Sequence, residues 1–246
     1  MKIIERVENM GQKMLVEIKK WISQMGNKIM YGELNSKIVD KSKYKEFLTV
    51  DECREWGEYY SNWAKRYIEV MSLTEKIKTQ HSLETSTVEC YCGHSYREIN
   101  KLLRSGYISN NKLYDKMADI LIMTLCSAPR IPEDIVVYRV IDKSFIEDMI
   151  RHNKLSRPTP IQEKGFMSTS LLKNIVNTYS EAVEEPHLLK IYVPKNTIGI
   201  YVNSITTRDE EEILLAPNNY LWLIDYPYYD EDYSVKIFEC QLVTFV

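Results

Sequence analysis

The chain has 246 residues, enough to bury a full hydrophobic core as one large domain or two small ones. Apolar residues make up 44% of the chain and charged residues 27%, a balance that excludes intrinsic disorder as its main state. With 32 Lys and Arg against 35 Asp and Glu, the net charge is −3. We expect no nucleic-acid partner, because proteins that bind nucleic acid usually carry a strong basic excess.

The N-terminus and the cysteines bear on the compartment in which the protein works. Residues 1–30 carry charge throughout and lack the apolar run and cleavage site of a secretory signal. No stretch of the chain is apolar for long enough to predict a membrane-spanning helix. The five cysteines are an odd number in a chain of this size, which favours reduced thiols. We therefore expect the protein to fold or act in a reducing cytosol.

Residues 3–25 form the first predicted helix, because their apolar side chains recur at steps of three and four. Six Lys and Arg against three Glu make residues 1–30 basic. Such a basic amphipathic helix can contact a membrane or a delivery partner, or it can pack on its own domain. Residues 31–46 are polar and resemble a linker. We divide the chain into residues 1–44, the amphipathic helix and linker, and a domain of residues 45–246.

A second helix begins near Leu48, where Thr49 and Glu52 have the spacing of a capping box. Aromatic side chains follow at helical spacing, which is more typical of core packing than of a binding site. They are Trp56, Tyr59, Tyr60, Trp63 and Tyr67.

Two more helices are predicted before the middle of the chain. One begins at Ser95, with Glu98 as its reciprocal cap, and ends at Gly106. The other covers Lys112–Ser127 and stops before Pro129.

The pattern changes from helical to strand-like at residue 135. Short segments rich in Val, Ile, Leu and Tyr are separated by Pro, Asn, Asp or Lys, as in a sheet. They cover residues 135–141, 166–170, 188–193, 199–203, 211–215, 220–226 and 235–245, with one helix at 145–152. Helices followed by strands predict an α+β fold rather than alternating βαβ units.

Several common sites are missing from the sequence. The eight glycines form neither a dinucleotide-binding fingerprint nor a phosphate-binding loop. Cys90, Cys92 and His94 are potential metal ligands, but the second pair that a structural zinc site needs is not evident. These cysteines are interpreted as ordinary buried thiols, and we expect no metal.

Three elements of the strand half carry residues suited to chemistry. Arg139 lies inside an apolar strand, where it needs an anionic ligand or a structural ion pair. Alternation puts Ser168 and Ser170 on one face of the next element, although hydroxyl groups are common at strand ends. Glu210 and Glu212 share a face where an acidic run enters a strand. Two close carboxylates indicate a cation or polar ligand between them, or else a solvated acidic turn.

Together these elements resemble the mono-ADP-ribosyltransferase exoenzymes. The signature of that family is an aromatic-Arg pair on one strand, Ser-Thr-Ser on the next, and Glu-x-Glu leading into a further strand. In this chain the three elements are Tyr138-Arg139, Phe166-Met167-Ser168-Thr169-Ser170 and Glu210-Glu211-Glu212-Ile213-Leu214-Leu215. Residues 51–57, 96–104 and 193–202 are similar to further segments of the catalytic domain of actin-modifying binary toxins.

The resemblance implies a helical N-terminal part packed on a split, mainly antiparallel β-sandwich with a cleft for NAD. NAD would be the substrate, with nicotinamide as the leaving group. Arg139 and Arg104 would hold the pyrophosphate, and Asn100 and Phe166 would line the NAD site. Bidentate bonds from guanidinium groups to phosphate are strong because they are charge-assisted.

The resemblance also assigns catalytic roles. Glu212, held by Ser168, would bind the ribose and stabilise an oxocarbenium-like transition state. Glu210 would orient the incoming nucleophile, and relatives with Glu at this position usually modify arginine. Thr207 stands where an aromatic residue is usual, in a loop that recognises the target.

The resemblance therefore implies a toxin or effector that moves ADP-ribose to an arginine of a target protein after delivery into a host cytosol. Actin is the first candidate target and a small GTPase the second. An NAD glycohydrolase and a non-catalytic NAD-binding module remain the alternatives.

Overall fold

A computed structural model describes residues 2–79, 86–106, 112–179, 185–206 and 210–244. For residues 2–13, 16, 71–79 and 179 it describes the backbone alone. Helices fill most of the first half, and all nine strands of the described residues lie in the second, which confirms the α+β prediction. The eight α-helices of the described residues are α1 (Lys2–Tyr31), α2 (Val50–Gly57), α3 (Ser61–Thr79), α4 (Thr87–Cys90), α5 (Tyr96–Ser105), α6 (Lys112–Ser127), α7 (Lys143–Asn153) and α8 (Ile175–Tyr179).

Helix boundaries follow local capping chemistry where the sequence supplies it. Thr49 and Glu52 form the predicted reciprocal capping box at the start of α2. Gly106 ends α5 with a left-handed backbone, φ 65°, and its N–H donates to the Leu102 carbonyl. The predicted cap at Ser95 is wrong, because a helix already runs through it. The capping box lies instead at Ser86, and a π-helical turn over Tyr91–Ser95 joins α4 to α5.

The first helix packs on the domain through its polar face. Lys19 forms an ion pair with Glu231, and Lys20 lies 3.1 Å from Glu239. Asn27 is buried and its amide donates to the carbonyl of Pro227 at 2.9 Å. The basic N-terminal segment and the acidic C-terminal region of the sequence therefore meet, because opposite charges draw the helix onto the last strands.

The apolar stripe of α1 faces away from the domain. Its described members are between 46% and 88% exposed, and they are Met14, Leu15, Ile18, Trp21, Ile22, Met25 and Ile29. The helix thus packs on its own domain, yet with the face opposite to the one that hydrophobicity alone predicts. The suggested contact of residues 3–25 with a membrane or delivery partner stays a prediction.

Replacing Trp21 with Ser should leave the free energy of unfolding within about 0.5 kcal/mol of the wild-type value, because the ring is 60% exposed. Asn27→Ala should lower it by about 1 kcal/mol or more, because the buried carbonyl of Pro227 would lose the amide donor of Asn27. Urea unfolding followed by circular dichroism measures both variants. A Trp21 variant that loses more stability than the Asn27 variant would show that the apolar face is packed.

The polar segment after α1 is in contact with the domain along its length. Asn35 and Asn153 exchange hydrogen bonds of 2.8–2.9 Å, and the Lys37 N–H donates to the Ile224 carbonyl. Tyr31 packs against the core ring of Phe238. Residues 31–44 therefore fasten α1 to the strand half, and the division at residue 44 stays a prediction.

Glu239 is the most buried of the acidic groups that face this N-terminal segment. Burial alone would raise its pKa, but the ammonium groups of Lys20 and Lys41 outweigh burial and hold the pKa below its usual value. A lowered native pKa adds stability that is present above the unfolded pKa and is lost as the pH falls through the native one.

Replacing Lys20 and Lys41 together with Met should lower the free energy of unfolding by about 3 kcal/mol at pH 7, because the carboxylate would stay buried without a partner. The difference from wild type should shrink at pH 4, where Glu239 is protonated in the variant. Urea unfolding at both pH values measures this, with exposed Lys65→Met as control. Adding Glu239→Gln should recover most of the loss, and a triple variant as unstable as the double would contradict the argument.

Nine strands of the described residues form one sheet. They are β1 (Ile135–Ile141), β2 (Ile161–Glu163), β3 (Met167–Ser170), β4 (His187–Val193), β5 (Gly199–Tyr201), β6 (Glu212–Leu215), β7 (Asn219–Leu223), β8 (Tyr228–Asp230) and β9 (Val235–Val243). Their order is β2-β7-β9-β4-β1-β3-β6-β5, with β8 on β9. All pairs are antiparallel except β4 with β9. The sequence predicted seven of these strands and missed the three-residue strands β2 and β8.

The sheet is split between β1 and β3. These neighbours share one register pair, Tyr138 with Ser170, whereas β1 and β4 pair over seven residues. One hydrophobic cluster, around Ile99, Leu121 and Phe166, packs α5 and α6 against β5 and β6, and another, around Val137, runs across both sides of the split. A cleft follows from this split, because strands that diverge leave side chains of both halves facing one space.

Candidate active site

The split holds a cleft of about 980 Å³. Six of the seven predicted site residues line it: Asn100, Arg104, Arg139, Ser168, Glu210 and Glu212. They come from α5, β1, β3 and the start of β6, elements up to 112 residues apart in the chain. The fold therefore brings together two guanidinium groups and two carboxylates that sequence spacing alone could not place in one site.

The two arginines of the cleft converge on one buried carboxylate, Glu163 of β2. Arg104 donates to both carboxylate oxygens, with Nε–Oε1 2.8 Å and Nη2–Oε2 3.0 Å. The nearest guanidinium nitrogen of Arg139 is 3.9 Å from Oε2. The N–H of Gly165 also donates to Oε1 at 2.8 Å. This arrangement holds both guanidinium groups at the cleft and partly compensates their mutual repulsion.

The pKa values of the two arginines shift in opposite directions. The hydrogen bond to Glu163 raises the pKa of Arg104. Burial lowers the pKa of Arg139, and the nearby carboxylate of Glu163 opposes that change without cancelling it. Among the described residues, no hydrogen-bond acceptor meets the buried Nη1 of Arg139. A partly buried cation of this kind gains strongly from an anionic ligand, because the ligand supplies both the missing charge and the missing acceptor.

Asn100 joins the helical half to the strand half beside the cleft. Its amide nitrogen donates to the Tyr91 hydroxyl at 2.9 Å, and its amide oxygen accepts from the Phe166 N–H at 2.8 Å. A Cβ at residue 165 would lie 2.8 Å from that oxygen, so only glycine fits there. Asn100 thus orients α5 and β3 in addition to lining the cleft.

Phe166 lies beneath the cleft and not in it. Its ring is fully buried and packs edge-on against Tyr91, with 5.4 Å between ring centroids. The predicted contact of its side chain with NAD has no support from this position. The ring instead anchors the start of β3 in the helical core.

The Ser-Thr-Ser element uses its three side chains differently. Ser168 is exposed and lines the cleft, and its suggested bond to Glu212 stays a prediction. The Thr169 hydroxyl donates to the Ile213 carbonyl at 2.8 Å, and the Ser170 hydroxyl donates to the Glu210 carbonyl at 2.9 Å. Thr169 and Ser170 therefore fasten β3 to the Glu-x-Glu segment, and Ser168 faces the cleft beside them.

Glu212 begins β6 and lies directly opposite Ser170 in the antiparallel pair. It is 3% exposed, and its N–H donates to the side chain of Asn203 at 3.1 Å. Glu210 precedes it by two residues and lines the same cleft, although the left-handed backbone of Glu211 between them departs from strand alternation. The cleft therefore suits a ligand that carries negative charge at one part and develops positive charge at another.

Three residues that support the site were not predicted from the sequence: Glu163, Ser170 and Glu211. A signal was present for Ser170, because alternation puts it on the face of Ser168. Glu163 precedes the Gly-Phe pair by two residues, but nothing local marks it as buried. Glu211 looked like one of three solvated acids, yet it is 2% exposed.

Other sequence-based expectations concern metals, membranes and the recognition loop. In the described part of the chain, no group of three His, Cys, Asp or Glu could hold a metal ion. No described helix is long and apolar enough to cross a membrane. Thr207 and its two successors lie outside the described residues.

Comparisons with known proteins agree with this architecture. The sequence model of the ADP-ribosyltransferase exoenzyme family matches residues 53–223. No curated protein sequence matches the chain.

Three solved structures share the fold, each over 82% of this chain. The C3 exoenzyme of Clostridium limosum is 21% identical with a TM-score of 0.59, over 98% of its length. C3stau2 of S. aureus, solved with NAD, is 18% identical with a TM-score of 0.61, over 100% of its length. BECa, the ADP-ribosylating toxin of a C. perfringens binary enterotoxin, solved with NADH, is 21% identical with a TM-score of 0.61. The chain spans 50% of BECa.

Proposed function

This chain belongs to the ADP-ribosyltransferase exoenzyme family, and we propose that it moves ADP-ribose from NAD to an arginine of a target protein. One observation carries the proposal: Arg104, Arg139, Glu210 and Glu212 line a single cleft. That set supplies what the reaction needs, namely cations for a pyrophosphate and carboxylates for a sugar that becomes positively charged.

NAD would bind with its pyrophosphate at the two arginines. Arg104 is oriented by its bidentate bond to Glu163, and Arg139 has an unused buried N–H. The phosphates would therefore complete a site that the protein has already ordered, so little side-chain entropy is lost on binding.

Glu212 would stabilise the ribose as its bond to nicotinamide breaks. The electron pair of that bond leaves with nicotinamide, and the sugar becomes an oxocarbenium-like cation. A fixed carboxylate in a water-poor site favours that charge strongly, because the dipoles around it need no reorganisation. The register pair with Ser170 and the bond to Asn203 keep Glu212 fixed.

Glu210 would receive the acceptor arginine. Its carboxylate can form charge-assisted hydrogen bonds to a guanidinium group and take a proton as the new N–C bond forms. Glutamine at this position could accept a hydrogen bond but could neither neutralise the cation nor take its proton. The presence of Glu therefore supports arginine as the acceptor.

The target and the setting belong to the same proposal. The resemblance of residues 51–57 and 96–104 to actin-modifying toxins makes actin the first candidate, with a small GTPase second. We propose a toxin or effector that acts inside the cytosol of a host cell.

Incubation of the protein with labelled NAD and a host-cell lysate tests the proposed function. We expect label on one or a few proteins, with peptide mass spectrometry placing ADP-ribose on arginine. A small guanidine compound should also accept label and compete with the protein target. Label on asparagine would contradict the arginine proposal, and release of free ADP-ribose alone would favour an NAD glycohydrolase.

Arg139→Lys should weaken NAD binding by about tenfold or more, although the positive charge is kept. Lys lacks the planar fork that grips two phosphate oxygens, and its ammonium would be costly to bury at this position. Isothermal titration calorimetry measures the affinity, with exposed Arg66→Lys as the matched control. Equal affinity of the Arg139 variant and wild type would assign Arg139 a structural role only.

A further inference from the structure

The middle residue of the Glu-x-Glu segment has a position that the proposed reaction does not explain. Glu210 and Glu212 line the cleft, whereas Glu211 is 2% exposed and absent from the cleft lining. Its backbone is left-handed, with φ 46°, a conformation that costs free energy for any residue with a Cβ. Such a conformation persists only where surrounding contacts hold it, so the contacts of the Glu211 side chain matter for its two neighbours.

The buried carboxylate of Glu211 is held by groups on two other elements. The hydroxyl of Tyr201, at the end of β5, donates a hydrogen bond to Oε2. The Nε of Arg54, on α2, lies 3.5 Å from Oε1. The Glu211 carbonyl also accepts from the Leu171 N–H at 3.0 Å, directly after the Ser-Thr-Ser strand. The segment between the two cleft carboxylates is thus tied to three different parts of the fold.

Tyr201 is itself fixed in place. Its ring packs edge-on against Trp56, with centroids 6.2 Å apart at 89°. A Cβ on Gly57 would lie 2.1 Å from the ring, so glycine is needed for α2 to pass this close. Burial and the hydrogen bond to Glu211 raise the pKa of Tyr201, so the hydroxyl stays protonated and remains a donor. Tyr201 is therefore a rigid donor aimed at Glu211.

The negative charge of Glu211 also affects the pKa of the Cys53 thiol on α2. Burial, and next the negative charge of Glu211, raise the pKa of the Cys53 thiol to about 12. Cys53 thus stays neutral and adds no second negative charge beside the carboxylate.

We propose that Glu211 is a positioning residue for the ADP-ribosyl transfer proposed above. Its buried carboxylate, held by Tyr201 and Arg54, keeps the left-handed backbone that directs Glu210 and Glu212 into the cleft. The inference rests on the proposed function for its kinetic consequence, but the anchoring itself is a property of the folded protein. Release of the anchor would let residue 211 return to an ordinary φ, which would rotate both cleft carboxylates.

Three variants separate the contacts of the Glu211 side chain from the strain of its left-handed backbone. Glu211→Gly accepts a positive φ freely but removes the anchor. Tyr201→Phe keeps the ring and removes the donor. Glu211→Gln keeps the length of the side chain and an acceptor oxygen for Tyr201. We expect Glu211→Gly and Tyr201→Phe to lower kcat for nicotinamide release about tenfold with KM for NAD within twofold. Glu211→Gln should retain at least a third of kcat.

The double variant Glu211→Gly/Tyr201→Phe should be no slower than the slower single variant. Each single change already removes the same hydrogen bond, the one between Tyr201 and Glu211, so its effect is not added twice. Tyr59→Phe, which changes an exposed ring just after α2, is the matched control. A Glu211→Gly variant with wild-type kcat would overturn the proposal. The proposal would also be overturned if kcat fell only in proportion to the fraction of folded protein, as measured by thermal unfolding.

Amide hydrogen exchange measures whether Glu211 holds its backbone segment in place, and it needs no enzymatic turnover. In Glu211→Gly, exchange should quicken at the amides of Leu171 and Glu212, which bond around residue 211, and stay unchanged along β4 and β9. Unchanged exchange at both amides would overturn the anchor itself. A wild-type protein that releases no nicotinamide would reject the proposed function, and the exchange result would then decide the anchor alone.

Discussion

Glu212→Gln should reduce nicotinamide release from NAD by about 100- to 1000-fold and abolish protein labelling with it. In the proposed reaction this carboxylate would face the developing ribosyl cation, and loss of one such fixed electrostatic contact costs about that factor in rate. Gln has nearly the same size and keeps one acceptor oxygen, so the pairing of β6 with β3 should survive. Steady-state kinetics of nicotinamide release, with and without target protein, measure the effect.

The loss should appear in kcat and leave NAD binding nearly intact. Glu212 would act mainly on the transition state, whereas Arg104 and Arg139 would supply most of the ground-state affinity. Calorimetry should therefore give a Kd within about threefold of wild type. Exposed Glu55→Gln is the control for a change of charge outside the cleft. Retention of a third of the wild-type rate by the Glu212 variant would remove this residue from the chemistry.

Glu210→Gln should separate the two activities. Transfer to arginine should fall about 100-fold or more, because Gln can neither pair with the guanidinium charge nor take its proton. Hydrolysis should persist at a reduced rate, because water needs no ion pair and Glu212 remains in place. Parallel assays of free ADP-ribose and of a labelled small guanidine acceptor measure the ratio.

The outcome of that experiment decides the role of the first carboxylate. Equal loss of hydrolysis and transfer would place Glu210 in NAD binding. Full retention of arginine labelling would mean that another group receives the acceptor, and the arginine proposal would fall with it. The Ser170 hydroxyl holds the Glu210 carbonyl, so Ser170→Ala provides a variant in which the same carboxylate is loosened but present.

Local rules in the sequence determined most of the elements, and the resemblance to the family supplied the roles of the cleft residues. The change from a three-to-four to a two-residue period predicted α+β, and Thr49 and Gly106 marked helix ends through their own backbone needs. An Arg inside an apolar strand predicted an anionic ligand or a structural ion pair, and two carboxylates on one face predicted a cation or polar ligand or else a solvated acidic turn. These signals are local, because propensity, capping and desolvation act within a few residues.

Tertiary structure alone decided which buried side chains hold the cleft residues in place. Glu163 is a charged residue on a three-residue strand, and only the approach of α5 and β1 makes it a partner of two arginines. Glu211 reads as one acid in a solvated run, yet it is held by Tyr201 of β5, 10 residues before it, and by Arg54 of α2, far earlier in the chain.

The first helix shows the same limit most clearly. Its apolar stripe is visible in the sequence, but the acidic surface of the last strands binds its opposite face through Lys19, Lys20 and Asn27. A periodic pattern states which side chains share a face. It does not state which distant surface will meet that face, because that depends on charges and contacts brought together only when the chain folds.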